Sequence, residues 1–269
     1  MRELERDLPA NATLSTPAAP GYLAIVGKGR AGRALALAAR AAGAEVDLHG
    51  RGEAPEIPSA AGAAVLLCVP DAEIAAACEA IAPGLPPGTP VGHVSGAAGL
   101  TALGAASERG LPVFSLHPLQ TIPANDADLA GAACAIAGSD PQATGLARSL
   151  AEALGMSPFD VADPDRAAYH AAAAMASNFL VTLEESAAEL LARAGVASPR
   201  ETLAPLVLRA AANWADTGGE ALTGPIARGD EDTVRRHLQA LAERAPELIP
   251  LYETLAERTR AIADREAQR

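Results

Sequence analysis

Tyr22-Leu23-Ala24-Ile25-Val26-Gly27-Lys28-Gly29-Arg30-Ala31-Gly32 is an apolar run closed by three spaced glycines. Five apolar residues in succession predict a strand buried on both faces. The G-x-G-x-x-G spacing of Gly27, Gly29 and Gly32 falls directly after that strand and directly before an alanine-rich helical stretch over 31–42. The three glycines act differently. The first permits the tight turn, the second lets backbone approach a pyrophosphate, and the third lets the helix pack on the strand. The helix N-terminus adds partial positive charge where the phosphates would lie. Dinucleotide binding by Gly27, Lys28, Gly29, Arg30, Ala31 and Gly32 follows as the expectation. A glycine-rich turn in an unliganded α/β domain is the alternative.

Outward from this turn, short β-like runs alternate with helical stretches: 45–49, 63–69, 90–94, 113–116, 132–137 and 158–161 as strands, with helices over 72–81 and 142–154. That alternation predicts a Rossmann-like, doubly wound, mostly parallel sheet. After Asp163 the texture becomes all-helical, over 166–194, 202–216 and 230–265, with breaks at Gly195–Pro199 and Gly218–Pro225. The expected division is a flexible tail over 1–20, a nucleotide-binding domain over 21–163 and a helical substrate or dimerisation domain over 164–269.

Composition narrows the function classes. The chain of 269 residues is 49% hydrophobic and 20% charged, which fits a globular protein. Lys+Arg 21 against Asp+Glu 33 gives −12, a surface that repels nucleic acid and anionic membranes. No apolar run reaches the roughly 18 residues a membrane helix needs. Cys68, Cys78 and Cys134 have no ligand or disulfide spacing, so no metal is expected and the cytoplasm is the expected location. Lys28 is the only lysine, so any lysine-dependent chemistry must use it.

The second strand selects the cofactor. Val46-Asp47-Leu48-His49-Gly50-Arg51 offers no acid at its end to hold a ribose 2′-hydroxyl, and Arg51 stands where a 2′-phosphate would lie, so NADP(H) is favoured. Asp47 is the competing reading, although mid-strand it should point away from the carboxyl end.

Ligands of such sheets sit beyond the carboxyl ends of the strands, which singles out Val69-Pro70-Asp71, His93-Val94-Ser95-Gly96 and His117 to Thr121. Pro118 disfavours a helical His117 and holds it extended, where it could face the cofactor; a capping histidine is the alternative. His93 reads better as a strand residue than Ser95 and Gly96, which could touch nicotinamide or substrate. Asp71 reads as a helix N-cap.

Tyr169-His170 opens an alanine-rich helix on which His170, Ala174 and Asn178 share one face. An imidazole titrating near neutrality suits protonation of a developing alkoxide. An interfacial histidine is the plainer reading. Thr223-Gly224-Pro225 and Arg228-Gly229-Asp230 form the last dense patch, with Arg228 a candidate fork for a carboxylate, Asp230 an N-cap and His237 a surface residue.

These motifs together resemble the bacterial family of predicted NADP-dependent oxidoreductases that join a Rossmann-like domain to a helical C-terminal domain of long-uncharacterised function. The carriers are Gly27 to Gly32, Ser95-Gly96, His117 to Thr121, Tyr169-His170 with Asn178, and Thr223 to Asp230. The wider resemblance is to 6-phosphogluconate dehydrogenase-like enzymes, among them ketopantoate, pyrroline-carboxylate and prephenate-type enzymes. It implies a homodimer through the helical domain and a small carboxylate substrate. Where hydroxyacid dehydrogenases and ketopantoate reductases use a helix lysine, His170 stands here if Asn178 takes the asparagine position. Some members of the family are thought to be an alternative form of ketopantoate reductase.

The expectation is hydride transfer between NADPH and a small 2-oxo acid, ketopantoate first. Its catalytic residues are His170, His117 and Asn178; the cofactor residues extend to Arg51, Val69, Pro70, Ser95 and Gly96; substrate residues are Gln120, Thr121, Tyr169, Thr223 and Arg228. The rivals are an imine or prephenate-type dehydrogenase and a non-catalytic NADP-binding sensor.

Overall fold

A computed structural model of the chain describes residues 20–50, 53, 55–58 and 62–269. The proposed tail over 1–20 and Arg51 lie outside the described residues, Pro20 excepted. The chain forms two compact units, the second beginning at Met175.

In the first unit, strands β1 (Tyr22–Val26), β2 (Glu45–His49), β3 (Ala63–Leu67), β4 (Val91–His93), β5 (Val113–Pro118), β6 (Ala133–Gly138) and β7 (Ser157–Asp160) form one sheet in the order β2-β1-β3-β4-β5-β6-β7. The first five run parallel; β6 pairs antiparallel with β5 and parallel with β7. The order reverses beside β1, so the turn after Val26 lies at the switch point where such sheets take their ligands.

Strand periodicity sorts the core into two layers. Leu23, Ile25, Leu66, Phe114, Leu116 and Ile136 pack with Leu35 and Ala39 of helix α1 (Arg30–Ala41) and Ala147 and Leu150 of α4 (Pro141–Ala153). Ala24, Val65, Leu67, Val91 and Val113 pack on the other face with Ile74 and Cys78 of α2 (Ile74–Ile81) and Ala106 of α3 (Gly104–Ser107). Gly92 is needed between the layers, because a Cβ there would lie 2.4 Å from the Phe114 ring. Helix α4 is capped by Asp140, whose carboxylate accepts from the amides of Gln142 and Ala143. Asp71 does not cap: Pro70 precedes the 3-10 turn Asp71–Glu73 and Glu73 precedes α2, neither with a side-chain cap bond.

Helix α5 (Arg166–Ala176) ends before Ser177, and α6 (Asn178–Arg193) follows. The single helix expected over 166–194 is therefore interrupted, so one continuous face does not carry both His170 and Asn178. Ser177 and Asn178 are weak helix-interior residues whose side chains compete for backbone partners.

The second unit continues with α7 (Pro199–Thr217), α8 (Glu231–Arg244) and α9 (Ile249–Glu266). The helix expected over 230–265 is two helices, because Pro246 disfavours a helical Ala245, which adopts φ −156 and ψ 61. Asp230 caps α8 as expected, accepting from the Thr233 amide.

Candidate functional site

The glycine turn has the shape its sequence demands. Gly27 sits at φ 126, and a Cβ there would be 2.2 Å from the Cys68 carbonyl oxygen. A Cβ on Gly32 would be 1.9 Å from the Gly27 carbonyl oxygen, so the first and third glycines are fixed by packing. Gly29 is different: a Cβ there would meet nothing within 4 Å. It caps α1 with extended backbone and faces open space at the helix N-terminus, the cradle that a pyrophosphate requires. Around it, Arg33 donates to the Lys28 carbonyl, Arg30 donates to the Pro123 carbonyl, and Ala31 follows in the first turn of the helix.

At the end of β2 the Gly27 amide donates to the His49 carbonyl at 2.9 Å, holding the two turns together. Asp47 points elsewhere, accepting from the Tyr22 hydroxyl at 2.7 Å near the start of β1.

The histidines gather beyond β4 and β5. Pairing of these strands ends at His93↔Ser115, so β5 runs on past its parallel neighbour and carries His117 clear of it. Ser115 and His117, two residues apart, share a face. Helix α5 is fastened to that face at two points: Arg166 donates to the Ser115 hydroxyl, and Tyr169, one turn on, pairs its hydroxyl with His117 Nδ1 at 2.6 Å. The His117 and Tyr169 rings meet edge to face, centroids 5.6 Å apart, and Phe159 flanks Tyr169 at 5.9 Å.

His170 completes the cluster, with its ring centroid 6.2 Å from that of His117. Both rings converge on Gly96, where a Cβ would lie 2.8 Å from His117 Cε1, 2.8 Å from His170 Cδ2 and 2.9 Å from His117 Nε2. Glycine is the residue that allows this approach. His170 is exposed and Tyr169 and His117 are partly buried.

Burial, reinforced by His170 and Arg166, lowers the His117 pKa to about 4. Burial raises the Tyr169 phenol to about 12. At neutral pH the pair is therefore an uncharged imidazole and an uncharged phenol. His93 is wholly buried, with Nδ1 accepting from the Ser95 amide and Nε2 near the Gly99 carbonyl, and its pKa falls to about 4, again through burial first. It is a core residue, as the strand reading expected. The Ser95 hydroxyl accepts from the amides of Ala97 and Ala98 and so shapes the turn that presents Gly96.

Arg166 is a residue that sequence reasoning passed over. It is 1% exposed, and besides Ser115 it reaches the Ser95 carbonyl at 3.4 Å and Asp163 at 3.1 Å. Asp163 in turn accepts from the Leu100 amide at 3.1 Å. One buried cation thus ties the loop after β4, strand β5 and helix α5 together beneath the histidines. The available signal was an arginine three and four residues ahead of Tyr169-His170 in an otherwise alanine-rich helix.

Val69 and Pro70 follow β3, next to the Cys68 amide that donates to the Val26 carbonyl. The exposed Gln120 side chain accepts from the Thr121 amide. Asn178, Thr223 and Arg228 belong to the second unit; Gly224, at φ 94, turns the backbone there and its carbonyl accepts from the Arg228 amide. Among the described residues no cluster of His, Cys, Asp or Glu could hold a metal ion, and no helix is long and apolar enough to cross a membrane.

A family profile described as a Rossmann-like domain matches residues 50–118, and one described as a domain of unknown function, DUF2520, matches residues 132–259. The two matches follow one another along the chain, the Rossmann-like one first and the DUF2520 one second. The DUF2520 match begins at the end of the sheet, taking in β6, α4 and β7 before the helices. Among solved structures, the chain is similar to a protein assigned as an NADP oxidoreductase, BF3122 from Bacteroides fragilis, with TM-score 0.74 and 21% identity over 91% of this chain and 99% of that one. Protein TM1727 from Thermotoga maritima is similar with TM-score 0.72 and 21% identity, over 91% and 99% of the two chains. Pyrroline carboxylate reductase from Plasmodium falciparum, solved with NADP bound, is similar with TM-score 0.56 and 13% identity, over 90% and 99%. At these identities the likeness is one of fold. No curated protein matches the chain.

Proposed function

We propose that this protein binds NADP(H) and catalyses hydride transfer between NADPH and the carbonyl of a small 2-oxo acid, with ketopantoate the first substrate to test. The convergence of His117 and His170 on Gly96, at the carboxyl ends of β4 and β5, with Tyr169 bonded to His117, carries the reading. The fit of the cofactor rests on Gly29, whose open side leaves room for phosphate against the helix N-terminus. The fold shared with BF3122 and with the NADP-bound Plasmodium reductase supports it.

NADPH, when bound, supplies the hydride. The protein positions the substrate and manages the proton. We assign the Tyr169 proton to the bond with His117 Nδ1, which leaves the neutral imidazole protonated at Nε2, the edge turned toward Gly96. An N–H in that place polarises a carbonyl without carrying charge into a buried site. His170, open to water, is the proton source for the alkoxide. Gln120 and Thr121 are assigned to substrate, and Arg51, Val69, Pro70 and Ser95 to the cofactor alongside the glycine turn. The active form is a homodimer through the helical domain, a reading supported by the exposure of Phe179, Val181, Leu206, Leu208 and Trp214 on α6 and α7.

Fluorescence titration with NADPH and NADH, followed by absorbance assays with ketopantoate, other 2-oxo acids, a cyclic imine and prephenate, tests the proposal. NADPH should bind more tightly, and His117→Gln should lower kcat about 100-fold or more with NADPH affinity little changed. Turnover confined to the imine or prephenate would replace the substrate class. Tight NADPH binding with no turnover across the panel would make the protein a sensor.

A further inference from the structure

Gly50 and Lys28 form an anion cradle at the end of β2, and the chain's own Glu53 sits in it. Glu53 Oε2 accepts from the Gly50 amide at 2.6 Å and from Lys28 Nζ at 3.1 Å, while Oε1 lies 3.3 Å from the same ammonium. Gly50 allows the carboxylate this close, since a Cβ there would stand 3.0 Å from Glu53 Oε1. The Gly50 amide first, and Lys28 next, hold the Glu53 carboxyl below the ordinary carboxylate range. Beside them, at the last residue of β2, His49 Nε2 is buried and has no hydrogen-bond partner among the described residues. A backbone N–H and an ammonium around one carboxylate make a site for an oxyanion with more acceptors than a carboxylate has.

Its position identifies the oxyanion. The His49 carbonyl accepts from the Gly27 amide, so the cradle adjoins the phosphate turn at the end of the second strand, where a doubly wound fold receives the adenosine ribose. Lys28 comes from the glycine turn itself, and its bridge to Glu53 is half-exposed on both sides, at 44% and 54%, so the pair is held weakly and is open to exchange. A phosphate monoester brings nearly two charges and three acceptor oxygens to the same donors.

We propose that Lys28 and the Gly50 amide receive the 2′-phosphate of the adenosine ribose, and that Glu53 is its internal stand-in, displaced when a 2′-phosphorylated nucleotide binds. Glu53 is then a specificity-determining residue. Its carboxylate opposes the phosphate and leaves a bare 2′-hydroxyl unopposed, so it narrows the preference for NADP(H) over NAD(H) that Lys28 creates. The inference rests on the dinucleotide reading above and adds to it a pair of opposed residues.

Calorimetry with adenosine 2′,5′-bisphosphate and with AMP tests it without turnover. Glu53→Gln should tighten the bisphosphate about fivefold or more and leave AMP within about twofold; Lys28→Gln should weaken the bisphosphate about tenfold with AMP again little changed. Because Lys28 is the only lysine, reductive 13C-methylation gives one side-chain signal besides the terminal amine, and that signal should move with the bisphosphate and not with AMP. Equal effects of Glu53→Gln on both nucleotides, or none, in a protein that still binds NADPH would overturn the role of Glu53. A wild-type protein that binds neither NADPH, NADH nor either nucleotide would overturn the dinucleotide reading itself.

Discussion

Gly29 separates folding from binding more cleanly than any other residue of the turn. Gly27 and Gly32 are hemmed in by backbone, so alanine at either forces the turn apart, and at Gly27 it also places a side chain at φ 126. Gly29→Ala places its methyl in open space instead. The melting temperature should stay within about 2 °C of wild type, in keeping with a surface substitution. NADPH affinity should fall about tenfold or more, because the methyl occupies the approach to the pyrophosphate. A variant that binds NADPH as wild type does would remove the phosphate from this turn. The glycine pattern was legible in the sequence because backbone conformation is a local property. Glu53 was not, because its partner Lys28 lies 25 positions away and meets it only in the folded chain, and nothing in the spacing marks an acid as a stand-in for phosphate.

At the scale of elements, α5 owes its place to Arg166. The guanidinium links Ser115, Ser95 and Asp163, and its loss leaves two buried acceptors without a donor. Arg166→Met should destabilise the protein by roughly 2–4 kcal/mol, the range for an unsatisfied buried network. It should also let the His117 pKa rise, since Arg166 helps to hold it down. Urea unfolding and an NMR titration of the imidazoles would measure both, and an unmoved His117 with unchanged stability would deny Arg166 a positioning role. Helix and strand existence was readable from apolar runs and alanine-rich stretches. Of the two helix breaks, the one at Pro246 carried a signal in its ring and was passed over, whereas Ser177 lies in a stretch whose periodicity runs through without a mark.

Across the whole molecule, buried imidazoles couple folding to pH. His93 and His117 both fall from 6.5 to about 4 in the folded chain. Between those values the unfolded chain binds more protons, so the stability these residues contribute is full above pH 6.5 and is lost as pH falls toward 4. Urea midpoints measured from pH 7.5 to 5, above the ordinary carboxylate range, should reveal a loss of roughly 2–4 kcal/mol. A midpoint that holds constant over that interval would mean that neither ring is buried neutral.

By itself the sequence determined the doubly wound sheet, the phosphate turn and the change to an all-helical second half, because hydrophobic period, glycine spacing and proline act over a few residues. Tertiary structure alone decided which polar groups meet. The His117–Tyr169 bond spans 52 positions of chain, the Arg166–Ser115 bond spans 51, and the Lys28–Glu53 bridge spans 25. Such pairs are chosen by strand order and register, through the packing of the entire sheet, and leave no mark on either residue's neighbours.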